Sequence, residues 1–136
     1  MSAPDFLDSN IFVYAYDASR PEKREIAQDF VLRAIKGEFI AAVQVLAEFS
    51  ATLLHKVSAR PEDVIAILDI LAPVKLVSPD AGIVRRALEA RQAYGVHFYD
   101  GMIVAAAERA SCQRIWSEDL NAGQKYFGIA VENPFK

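Results

Sequence analysis

At 136 residues the chain is the size of one ordinary domain, and 53% hydrophobic with 24% charged residues is a globular composition, not a disordered one. A formal charge of −3, from 15 Lys and Arg against 18 Asp and Glu, argues against non-specific binding to a long duplex, but it leaves room for an enzyme that recruits metal ions behind a local basic rim. The single cysteine, Cys112, excludes an internal disulfide and a zinc site built on several cysteines.

In chain order, a short apolar strand around Phe6 and Leu7 is expected to end at Asp8, with Ser9 or Asn10 capping the next segment. Pro21 suits a first helical position, and Ile26, Ala27, Phe30, Val31 and Ala34 keep one face apolar until Gly37. Phe39 to Val43 reads as a strand. Gln44 to Lys56 reads as a helix with a stripe of Val45, Leu46, Phe49 and Leu53. Pro61-Glu62-Asp63 opens another helix, lined by Val64, Ile67, Leu68 and Leu71 and ended by Pro73. Val74 to Val77 is a strand. Ser78-Pro79-Asp80 starts a helix carrying Ile83, Val84, Ala87 and Leu88, and an alanine-rich helix follows from Tyr99 to Ala110. Arg114 to Trp116 and Ile129 to Val131 are the last strands, and Asn133-Pro134-Phe135 is a terminal loop.

Strands and helices alternate with short connections and no β-hairpin signal. The expected fold is therefore an α/β domain over residues 1–136, in three α/β/α layers around a parallel sheet of four to five strands. No apolar run reaches the ~18 residues of a membrane span. The start Met1-Ser2-Ala3-Pro4-Asp5 lacks the basic residues of a signal peptide, so the expected location is cytoplasmic. Cys112 reads as a small buried filler.

Four carboxylates interrupt or flank this apolar pattern. Asp8 lies between Phe6-Leu7 and Ile11-Phe12, and Glu48 lies beside the stripe of its helix. Asp100 shares a helical angle with Ile103, Val104 and Ala107, and Asp119 follows Ile115-Trp116-Ser117. Each has a bland reading: Asp100 as a helix cap, Glu48 at a solvated edge, Asp119 in a turn. A charge on an apolar face is costly unless compensated, and Asp8 is the hardest to explain away. Ligands in an open parallel sheet bind beyond the carboxyl ends of the strands, where Asp8 and Asp119 would lie with the two helix acids nearby. Four carboxylates there would repel one another, and hard oxygen ligands suit Mg2+ or Mn2+, ions that assist phosphodiester hydrolysis. A receiver-like or aspartyl-phosphatase reading of Asp8 is disfavoured. A phosphatase would want a second Asp two residues on, where this chain has Asn10.

The segments FLDSNIFVYA, QVLAEFS, FYDGMIVAAA and SEDLNAGQ, followed by NPF, resemble the landmarks of PIN domains, and more narrowly those of the toxins of VapBC toxin–antitoxin pairs. The similarity covers nearly the whole chain, with the motifs in order. It implies a parallel sheet with flanking helices and RNA cleavage with Mg2+, which Mn2+ would replace. It also implies Asp8, Glu48, Asp100 and Asp119 as the acidic metal site, with Asn10 and Ser117 supporting. Ser9 stands where the family more often has threonine and keeps the hydroxyl; Tyr99-Asp100-Gly101 stands where tryptophan-Asp-alanine is common. Neither departure removes a ligand. The implied partners are an RNA, transfer RNA or another structured RNA, a VapB-type antitoxin and a second copy of the chain. His97 reads as a loop or helix-start residue before a general base, and Trp116 as core or interface before a base-stacking platform, whereas Arg85, Arg86 and Arg91 fit an RNA rim and a solvated charged face equally.

Overall fold

The structure is a computed structural model and describes residues 3–136. Met1 and Ser2, which open the N-terminal stretch read above for a signal peptide, lie outside the described residues.

The short apolar runs form strands, and the longer periodic runs form helices. Strand β1 (Asp5–Leu7) leads into helix α1 (Ser9–Tyr14). Helix α2 (Pro21–Ile35) starts on its proline and precedes β2 (Phe39–Ala42), which runs directly into α3 (Val43–Lys56). Helix α4 (Pro61–Ile70), strand β3 (Lys75–Val77), helix α5 (Ala81–Tyr94) and helix α6 (Phe98–Arg109) follow. Strands β4 (Arg114–Trp116), β5 (Lys125–Tyr126) and β6 (Ile129–Glu132) complete the chain. Among the described residues no helix is long and apolar enough to cross a membrane.

The sheet has six strands in the order β3-β2-β1-β4-β6-β5. The first five in that order pair in parallel, and β5 is antiparallel to β6. The parallel α/β architecture therefore matches the expectation, and the hairpin at one edge does not. Its two-residue turn, Phe127-Gly128, has φ of 49° and 82°, the left-handed pair of a type I′ turn. Sequence signals for such turns are Asn-Gly or Asp-Gly. Here tertiary contacts hold a phenylalanine in the disfavoured conformation. The Phe127 backbone N–H donates to the Tyr94 hydroxyl at 2.8 Å, and its ring lies 5.3 Å from the Tyr94 ring and 3.5 Å from the Arg86 guanidinium.

Helices α5 and α6 pack on one another, with α6 across β2, β4 and β6, whereas α1, α2, α3 and α4 form a separate group. Phe6, Leu7, Phe12, Phe49, Ile103 and Ile115 are fully buried between these layers. Phe12 of α1 and Tyr16, just beyond that helix, meet the Phe49 ring at centroid distances of 6.2 and 5.7 Å, which holds α1 and the turn after it against α3.

Candidate active site

Chain order reverses between β1 and β4. From β1 the chain builds outward through β2 to β3, and it later returns to place β4 and β6 on the other side of β1. A crevice at such a switch point opens at the carboxyl ends of the strands. Asp8 is the residue after β1, and Asp119 lies three residues beyond β4. Helix α3 rises from the end of β2 and puts Glu48 in its second turn. Helix α6 precedes a parallel strand, so its first turn, with Asp100, starts at the same edge.

Asp8 is buried, and its own carboxylate caps α1 by accepting from the Ser9 backbone N–H at 2.7 Å. The cap is therefore one residue earlier than expected. Its other oxygen accepts from the buried Ser117 hydroxyl at 2.7 Å. Ser117 Oγ in turn accepts the backbone N–H groups of Asp119 and Leu120 at 3.1 and 3.2 Å, which folds the loop after β4 around the serine. Asn10 closes the arrangement. Its Nδ2 donates to Asp119 Oδ2 at 3.2 Å, and its Oδ1 accepts from the Glu118 N–H at 3.1 Å. Asp8, Asn10, Ser117 and Asp119 are thus one hydrogen-bonded unit joining α1 to the loop after β4.

Glu48 and Asp100 are half-buried, and Asp119 is exposed. His97, not Asp100, occupies the N-cap of α6, and no side chain caps that helix. Burial pushes the Asp8 carboxyl from its usual 3.8 up to about 7, and the charges of Asp119 and Glu48 push the same way against the Ser117 and Ser9 hydrogen bonds. Burial also raises Glu48, reinforced by Asp100 and Asp119, and raises Asp100, reinforced by Asp119 and opposed by His97. The four carboxylates therefore act on one another's charge. No lysine or arginine pairs with any of them among the described residues.

This donor set, all hard oxygen with uncompensated negative charge, fits a divalent cation. Among the described residues, however, no three His, Cys, Asp or Glu side chains are gathered closely enough to hold one ion. The acids meet at the range of their charges, not as a finished coordination shell.

The other sequence candidates have plainer roles. Arg86 grips Glu108 through two hydrogen bonds of 2.8 and 2.9 Å, and Arg91 donates to the Val96 carbonyl. The Trp116 indole N–H donates to Asp5 at 2.9 Å, at the far end of the strands. Cys112 is buried, and its thiol is pushed up to about 12 by that burial. Two residues escaped the sequence reading. Glu118, beside Asp119, turns away to accept from the Tyr14 hydroxyl and from Lys23. Gln44 donates to Glu48, a link that the i, i+4 spacing could have signalled.

No curated protein matches the chain in sequence. Its fold recurs in solved structures at low identity. A chain of the DNA-bound VapBC from Salmonella typhimurium superposes with a TM-score of 0.70 at 18% identity, over 98% of this chain and 99% of that one. A chain of VapBC2 from Rickettsia felis, bound to a DNA fragment from its promoter, gives 0.66 at 20% identity, over 95% and 97%. Mycobacterium tuberculosis VapC20, described as a sarcin-ricin loop cleaving toxin, gives 0.61 at 15% identity, over 85% and 91%. The PIN domain family matches residues 6–127, nearly the whole chain, and the chain belongs to that family.

Proposed function

We propose that this chain is a Mg2+-dependent ribonuclease, with Mn2+ able to substitute, cutting RNA internally as the cytoplasmic toxin of a VapBC-type pair. The observation that carries the reading is Asp8. It is a buried carboxylate with no cationic partner among the described residues, pushed up to about 7 by burial, at a switch point where Asp119 and Glu48 add to its charge. A carboxyl serving only to cap α1 would not need three further acids at the same edge. The solved VapBC complexes and the sarcin-ricin loop cleaving toxin of like fold support the same reading.

Asp8, Glu48, Asp100 and Asp119 would hold the metal. Bound there, the ion supplies positive charge that acidifies a water and offsets charge on the phosphoryl oxygens. Ser117 holds one Asp8 oxygen and the Asp119 backbone, and Asn10 holds the Asp119 carboxylate, so these two set the angle between the acids. A groove beside Asp119, lined by Ser9, Asn10, Thr52 and Lys56 and also by Asp17 and Glu118, is the surface proposed for RNA. Lys56 is exposed and has no ion pair among the described residues, so it is available to a phosphate. The substrate is a transfer RNA or another structured RNA, and the partners are a VapB-type antitoxin and a second copy of the chain.

The test is to map cleavage ends on total cellular RNA with wild-type protein, in Mg2+ and in excess EDTA, beside D100N. Discrete new ends that need both the metal and Asp100 are expected. Undiminished cleavage in EDTA would overturn the mechanism.

A further inference from the structure

Gln44 stands in the first turn of α3, one helical turn before Glu48. Its side-chain nitrogen donates to Glu48 Oε1 at 3.2 Å and to the Tyr99 backbone carbonyl at 3.1 Å. A primary amide has two hydrogens, so both bonds form together. The acceptors belong to different helices, Glu48 to α3 and Tyr99 to the first turn of α6, next to Asp100. Both helices rest on β2, but their helical neighbours differ: α3 packs on α1 and α4, and α6 packs on α5. Among the described residues no other donor reaches the Glu48 carboxylate. An unheld glutamate rotates about three side-chain bonds, and its charge drives it away from the neighbouring carboxylates.

We propose that Gln44 is a positioning residue, a strut that fixes the Glu48 carboxylate against the start of α6 so that Glu48 and Asp100 face the same divalent cation. This rests on the metal site proposed above. The geometry makes Gln44 a residue whose value lies in metal affinity, not in holding the fold. It is half-buried, and its bonds join two helices that are each packed elsewhere.

The experiment titrates Mn2+ into wild-type protein, Q44L and Q44A, following free Mn2+ by electron paramagnetic resonance, with a melting curve for each. Both variants remove the donors, and Q44L keeps most of the bulk. Roughly 10–100-fold weaker Mn2+ binding is expected, with melting temperatures within a few degrees of wild type. The same titration in an E48A background completes a cycle: once Glu48 is gone, Q44L should weaken binding no further. RNA cleavage by Q44L should recover as Mn2+ is raised, which a collapsed site would not do. Wild-type binding with equal affinity in Q44L, or an undiminished effect of Q44L in the E48A background, would overturn the role of Gln44 alone. Wild-type protein that binds no Mn2+ would overturn the metal site and this role with it.

Discussion

At the scale of the residue, two of the carboxylates make separable predictions. Asp100 sits in the first turn of α6, half-buried, with its carboxyl raised by burial and by Asp119. The D100N substitution keeps the size and removes the charge. RNA cleavage should fall by orders of magnitude and Mn2+ binding should weaken, while the metal-free melting temperature holds or rises because one repelling charge is gone. Equal activity in wild type and D100N would remove Asp100 from the chemistry. Asp8 predicts a pH effect whose sign follows from its folded value of about 7 against a usual 3.8. Below about pH 4 the carboxyl is protonated in both the folded and the unfolded chain. Between 4 and 7 the unfolded chain releases that proton and the folded chain keeps it. Metal-free stability should therefore decline across this window and level off above it, by a few kcal/mol at most. Urea unfolding from pH 4 to 8 in EDTA should show wild type losing ground to D8N, and saturating Mg2+ should flatten the difference. Parallel curves for the two proteins would show that Asp8 is not held against its own charge. The sequence marked Asp8 as anomalous because a charge between two apolar runs is visible in one dimension. The Ser117 hub was less legible: the hydroxyl meets the Asp8 carboxylate, 109 positions away, only after β1 and β4 pair.

At the scale of the element, close packing of α5 on α6 depends on Gly101. A Cβ at that position would lie 2.7 Å from the Ala87 carbonyl oxygen and 3.3 Å from its carbonyl carbon. Helix propensity alone favours alanine by about 1 kcal/mol, so a free surface helix would gain from G101A. Here the obstruction is the backbone of α5, which cannot swing aside as a side chain can, and overpacking of this kind costs roughly 1–3 kcal/mol. G101A should lower the melting temperature by several degrees and reduce cleavage, because α6 carries Asp100 at its start. A raised melting temperature would show that the two helices slide apart freely. In the sequence Gly101 reads only as a residue of low helix propensity, since nothing local reports that Ala87 lies opposite. Sequence reading succeeded where the signals are local: Pro21, Pro61 and Asp80 start their helices as expected. It failed at β5, where the Phe127-Gly128 turn is secured by Tyr94 and Arg86 from another helix.

At the scale of the whole molecule, the apolar stripes read from sequence are wider than the faces the chain buries. Ile26 on α2 and Val84 and Leu88 on α5 were assigned to core-facing stripes, yet they are 38%, 40% and 55% exposed. Leu32, Ile65 and Ile70 are likewise more than half exposed on the α2 and α4 side. Periodicity identifies a side chain that avoids water. It does not distinguish burial inside one chain from burial against a second. The excess apolar surface is what the proposed homodimer and antitoxin complex would cover. Multi-angle light scattering at tens of micromolar should therefore give about twice the 15.0 kDa mass of the chain. The protein encoded beside this one should copurify with it and suppress RNA cleavage. Because burial of apolar area drives such association, raising the salt concentration should leave the dimer intact, whereas it should weaken any RNA contact made through Lys56. A monomer at every concentration would remove the dimer from the proposed assembly. A dimer that dissociates in salt would move the interface from these apolar faces to the charged ones.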